Sequence, residues 1–280
     1  MVVLFFWSAR VLFSALILLP VSARCELSQL SLLHLREIDL REWTGGLRET
    51  LGGVLVSVEK SWAVELKQST HWFIDDKTKR TVDALKKNGF DSFYVSTKSA
   101  ALEKLLQLIP KRSKVGIAGS MTIRQIGLDD ALRNRGDQVD DIWAKKYRME
   151  EHLAIRKSHF DADVFLTSSN AITEDGKLIN IDGLGNRVAA MVFGPKKVIV
   201  VAGINKIVKT VDDGIQRVRE ISAPMNAKRL GAKTPCAEKG CCDLNECQPP
   251  DRHCHIITIM EKKPMKTDTT VVLVGENLGY

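Results

Sequence analysis

Two short, uninterrupted apolar runs restrict this fold more than any other feature. Asp163–Thr167 (DVFLT) and Lys197–Ala202 (KVIVVA) are too short for core helices, and they lack the alternation of a strand with one wet face. They read as strands covered on both sides. Between and around them lie segments with helical spacing. Lys77–Asn88 carries Val82, Ala84 and Leu85 and stops at Gly89. Thr97 caps a segment with Ala101, Leu102, Leu105, Leu106 and Ile109 inward, closed by Pro110. Ser120 opens another helix, with Ile123, Ile126, Ala131 and Leu132 inward and Gly136 as its stop. Further helices are expected over Ile142–Ser158, Val211–Ile221 and Ala223–Leu230. Further strands are expected over Phe90–Val95, Val115–Ala118, His255–Met260 and Thr269–Val274. Strands alternating with helices imply an α/β fold with a mostly parallel sheet flanked by helices. The last two strands are expected to form a small antiparallel C-terminal addition.

The chain has 280 residues, of which 44% are hydrophobic, enough for one sizeable core. The net charge of +7 is spread over helix faces rather than gathered into a patch, and no zinc-finger or RNA-binding signature accompanies it. Nucleic acid is therefore not an expected partner. Residues 1–24 are apolar and signal-like: Val11–Leu19 could form the core of a signal peptide, with a cleavage site at Val21-Ser22-Ala23. Arg10 and Pro20 interrupt the run, so no membrane span is expected. Residues 25–68 form an irregular extension broken by Gly45-Gly46 and Gly52-Gly53. A second reading treats residues 1–63 as upstream sequence, with translation starting at a non-AUG codon near Val64 or Leu66. A genuine signal at residues 1–23 would make the protein secreted. The other reading makes it cytoplasmic.

Three segments can carry chemistry. Gly116–Thr122 (GIAGSMT) joins a strand to a helix, and Gly119, Ser120 and Thr122 can present backbone and hydroxyl groups to an anion. The segment is neither a Walker loop nor a dinucleotide fingerprint. An ordinary tight turn capped by Ser120 explains it equally well. Asn170–Arg187 starts at the end of a strand, where open α/β sheets bind ligands. Asp175-Gly176 makes a hairpin turn there, and Asn170, Asp182, Asn186 and Arg187 are candidate ligand residues. Arg187, at a helix start, could fork onto a carboxylate or phosphate; alternatively it pairs with a nearby acid. Glu174 is the one candidate nucleophile or general base. The third segment is a C-terminal loop, residues 235–255, containing Cys236, Cys241, Cys242, Cys247 and Cys254. The sixth cysteine, Cys25, stands apart. Thiolates clustered in one loop suit tetrahedral zinc or an iron–sulfur cluster.

Taken together, these segments resemble the LUD domain of lactate-utilisation proteins. The resemblance covers residues 69–280. It is carried by GIAGSMTIRQIGL at 116–128, by the run from Asp163 to Val208, by APMNAKRLG at 223–231, by PCAEKG and PPDRHC in the cysteine loop, and by VVLVGENLGY at 271–280. It implies a sandwich like that of the NagB/RpiA/CoA-transferase group. It also implies a cytoplasmic role in oxidising L-lactate or another 2-hydroxy acid, beside redox partner proteins. By the same resemblance Cys236, Cys242, Cys247 and Cys254 are the metal ligands. Cys241 is the alternate, because its position is not usually cysteine and the Cys242–Cys247 interval is longer than usual. Three functions stay open: a lactate-oxidation component binding a small anion and a metal, an acyl or sugar-phosphate transferase or hydrolase using Glu174, and a non-enzymatic metal or redox sensor. Self-association is a further expected interaction.

Overall fold

The computed structural model describes residues 54–145 and 147–280, with side chains from Trp62 onward. The signal-like segment, Cys25 and both N-terminal glycine pairs lie outside the described residues. The compact unit that holds the candidate sites runs from Gln68 to Tyr280.

Ten strands are described. β1 (Asp91–Val95), β2 (Lys114–Ile117), β3 (Gln138–Asp141), β4 (Val164–Thr167), β7 (Lys197–Gly203) and β10 (Asp268–Val274) form one parallel sheet in the order β1-β10-β7-β4-β2-β3. β5 (Ala171–Thr173), β6 (Leu178–Asp182), β8 (Ile207–Val208) and β9 (Ile256–Met260) form a smaller mixed sheet, β8-β5-β6-β9. The helices are α1 (Val54–Lys87), α2 (Lys98–Leu108), α3 (Met121–Ile126), α4 (Leu128–Arg135), α5 (Met149–Ser158), α6 (Asn186–Val192), α7 (Val211–Arg217), α8 (Ala223–Arg229) and α9 (Pro235–Lys239).

The apolar runs behave as their composition requires. Along β7, Ile199 and Val201 enter a core with Leu105, Ile123, Leu132 and Leu166. Their neighbours Val198, Val200 and Ala202 enter the opposite core with Leu85, Phe165, Ile172, Leu178 and Met191. Side chains alternate between the two faces of a strand, so a strand buried on both needs apolar residues at every position. The first core is roofed by α2, α3 and α4, and the second by α1, α6 and the small sheet.

Local signals set the helix ends. Thr97 accepts from the Ala100 amide at 3.2 Å, and Ser120 accepts from the Ile123 amide at 3.4 Å. Gly127 and Gly136 end α3 and α4 in the left-handed conformation.

Three expectations are corrected. The last two strands do not pair with each other: β9 joins β6 antiparallel in the small sheet, whereas β10 runs parallel between β1 and β7. Residues 142–158 are not one helix. α5 begins only at Met149, and the polar strand β3 precedes Ile142. The extension is not irregular throughout, because α1 already starts at Val54.

Candidate functional site

The carboxyl ends of the parallel strands open into one cleft of about 650 Å³, a size suited to a small organic ligand. Each lining loop follows a strand. Ala118–Thr122 follow β2, Ile142 and Trp143 follow β3, Ser168–Asn170 follow β4, and Tyr280 comes after β10. The small sheet and α6 add Ile181–Leu184, Asn186 and Arg187. In an open parallel sheet the helices pack on the two faces, so the strand ends are where a crevice can remain.

Gly119 shows why a glycine is needed at the rim. Its φ is +71°, and a Cβ there would lie 2.7 Å from the Trp143 ring. Trp143 is held in turn. Its amide donates to Asp141 at 2.9 Å, and the Arg229 guanidinium lies 4.1 Å from the ring centroid. Asp141 is buried between Arg124 and Arg133, each 2.9 Å away.

The cleft is electropositive. Arg156, Arg187, Arg229 and Arg252 line it against one acidic side chain, Asp182. Arg187, however, is fully engaged. Its Nε donates to Asp182 at 2.8 Å, its Nη1 to Ser168 O and Asn180 Oδ1, and its Nη2 to Asn170 Oδ1 and Ile181 O. A guanidinium has five N–H donors, and all five are used within the protein. The expected fork onto a ligand is therefore replaced by a tie that fixes the polar loop. Asn170 and Asp182 are its acceptors, and they also accept from the Ile181 and Val188 amides.

Beneath the floor, between β7 and β8, lies Lys206, only 3% exposed. Its Nζ is 2.8 Å from Ser168 Oγ and 3.0 Å from Thr122 Oγ1. Among the described residues no carboxylate pairs with it. Burial, then the charges of Arg217 and Arg187, lower its ammonium from 10.5 to about 7. Gly279 closes over this pair. A Cβ there would lie 2.6 Å from Thr122 Oγ1 and 3.1 Å from Lys206 Nζ, and its φ is +60°.

The cysteine loop forms one end of the cleft. Cys236, Cys247 and Cys254 line it, and together with Cys242 they ring an adjoining cavity of about 30 Å³. Burial, and after it the neighbouring Cys236, Cys242 and Cys247, raise the Cys254 thiol to about 11. The four cysteines thus line one small cavity, with Arg219 and Arg252 beside them. Among the described residues, no three His, Cys, Asp or Glu side chains stand at the spacing one ion needs. Cys241 lines neither cavity.

The family model described as the LUD domain matches residues 78–274. The chain belongs to the LUD-domain family. The likeness to lactate-utilisation proteins read from the sequence is thereby upheld at the level of the family. No curated protein matches the chain. Among solved structures it is similar to a DUF162 family protein from Deinococcus radiodurans, whose crystal structure was determined at 1.70 Å. The two are 15% identical, with 72% of this chain and 98% of that one covered and a TM-score of 0.44.

In this LUD domain, Gly119, Ser120, Thr122, Asn170, Asp182, Asn186 and Arg187 all meet at the cleft. Glu174 does not. It lies beyond the far end of β5, where it pairs with Lys77 of α1 at 3.2 Å, so it cannot act on a molecule in the cleft. Sequence reasoning overlooked Lys206, Trp143 and Arg229. A usable signal existed for Lys206: a lone cation in the apolar stretch Val198–Val208, just past the end of a fully buried strand. Among the described residues no helix is long and apolar enough to cross a membrane.

Proposed function

We propose that this LUD domain binds a small carboxylate- or phosphate-bearing anion in the cleft and serves the oxidative use of L-lactate or another 2-hydroxy acid. The observation that carries this reading is the charge of the lining: four arginines against one carboxylate that is itself engaged by Arg187. With Arg187 occupied, Arg229 and Arg156 are the cations assigned to the ligand. Titration calorimetry with L-lactate, pyruvate and inorganic phosphate tests this. At least one should bind saturably, and Arg229→Ala should weaken it by roughly tenfold, the loss of one charge-assisted contact. Heat-silent titrations with all three anions would sink the reading.

Cys236, Cys242, Cys247 and Cys254 are assigned to a metal centre, zinc or iron–sulfur. Thiolate sulfur is the donor of either centre, the four thiols would have to draw together to hold it, and Arg219 and Arg252 would offset their charge. When bound, an iron–sulfur cluster would supply one-electron transfer to a redox partner protein. Purification without oxygen, followed by elemental analysis and a visible spectrum, separates the cases. Iron with absorption that bleaches on reduction supports the redox role. Zinc would make the loop structural, and a metal-free loop that takes up neither metal would remove the assignment.

A further inference from the structure

We propose that Ser168 and Lys206 form a nucleophile–base pair, positioned by Thr122, that cleaves a small anionic ester or thioester entering the cleft. The proposal rests on the anion-binding reading only for the charge of its substrate. Three observations support it. Ser168 lines the cleft and is more exposed there than Thr122, whereas Lys206 lies behind both hydroxyls. The distance of 2.8 Å between Nζ and Oγ is that of a proton-transfer pair, and Thr122 Oγ1 at 3.0 Å fixes the amine from another element. A base held by a third group is the arrangement that defines serine–lysine catalysis on unrelated folds.

The third observation concerns charge. The groups facing Lys206 are Arg217 of α7 and Arg187 of α6, both cations, and among the described residues its hydrogen-bond partners are the Ser168 and Thr122 hydroxyls. A buried ammonium held only by hydroxyls is costly, so the neutral amine, which can accept the Ser168 proton, is accessible near pH 7.

The chemistry balances with water as the second substrate. Ser168 Oγ bonds to the acyl carbon while its proton passes to Lys206 Nζ. The bond from that carbon to the leaving oxygen or sulfur breaks, and Lys206 returns the proton to the departing alcohol or thiol. Water then attacks the acyl-serine, its proton passing through Lys206 to Ser168 Oγ. The acid is released and both groups are restored.

The full-length protein should be treated with a fluorophosphonate and examined by intact and peptide mass spectrometry. Release of nitrophenolate from mono-4-nitrophenyl succinate should be followed in parallel from pH 5 to 10. The label should fall on Ser168 and vanish in Ser168→Ala. Labelling and hydrolysis should rise with pH to a plateau, with a midpoint near 7. In Lys206→Met both rates should drop about a hundredfold or more, the usual loss of a general base. Thr122→Val should retain the label but move the midpoint, which a merely structural threonine would not do. Circular dichroism establishes that each variant is folded. Absence of label on Ser168 in folded protein overturns the proposal, as does labelling unchanged in both Lys206→Met and Thr122→Val. Equal hydrolysis of 4-nitrophenyl acetate and the succinate ester would retain the pair and refute the anionic substrate. Saturable anion binding without any label would retain the binding reading and refute the pair.

Discussion

Arg187 and Lys206 stand close together but differ in how their charge is accommodated. The Arg187 guanidinium is met by a carboxylate and four further acceptors, so removing the side chain strands Asp182 and opens the loop. Arg187→Ala should destabilise the domain by about 3 kcal/mol in urea melts, as for a largely buried pair that loses one partner. If Arg187 were chiefly a ligand contact, the midpoint would hardly move. Lys206 has no such compensation. Its folded pKa is near 7 and its unfolded value near 10.5, so between those limits the unfolded chain binds the proton and the folded chain does not. Stability should therefore rise with pH across that window, and below pH 7 this group should add no slope. Lys206→Met should stabilise the fold most at pH 6, with a gain that fades towards pH 10. A gain independent of pH would mean that the amine is not perturbed by burial.

At the scale of elements, the sequence was most legible where one physical requirement dominates. β4 and β7 must be apolar at every position because both faces are covered, and their pattern says so directly. Helix ends with their own capping group were equally plain. Thr97→Ala should cost about 1 kcal/mol by thermal melt, since the Ala100 amide would lose its acceptor. β3 escaped notice because it is an edge strand reading Gln-Val-Asp-Asp, whose polar residues answer to local hydrogen bonds rather than to a core. The partners of β9 and β10 could not be read from proximity in the chain. Both are short apolar runs separated by a turn-like segment, the pattern of a hairpin, and only the vacancy between β1 and β7 decides that β10 goes elsewhere. The candidate site followed the same division. Loops at strand ends were visible as glycine- and asparagine-rich segments. Whether Arg187 faced a ligand or its own loop depended on folded geometry that spacing does not encode.

At the largest scale, the unit from Gln68 to Tyr280 has a main core on either side of its parallel sheet, with the cleft where the strands end. Phe165→Ala should cost about 3–5 kcal/mol, because the ring fills the second core completely and rigid strands limit collapse into the void. Among the described residues, β1 has a single neighbour in its sheet, and that neighbour is β10. Thr270 bonds Asp91 across 179 residues of chain. During synthesis, β1 leaves the ribosome long before any strand exists to receive it. Its buried Ser92 and the adjacent Phe90 must wait through most of translation. The same late segment brings Gly279 down on Thr122 and Lys206, so the floor of the cleft and the edge of the sheet are finished together. A chain released early thus lacks the floor of its cleft and exposes its sheet edge at once, and the cell's quality-control machinery can recognise it by the strand left without a neighbour.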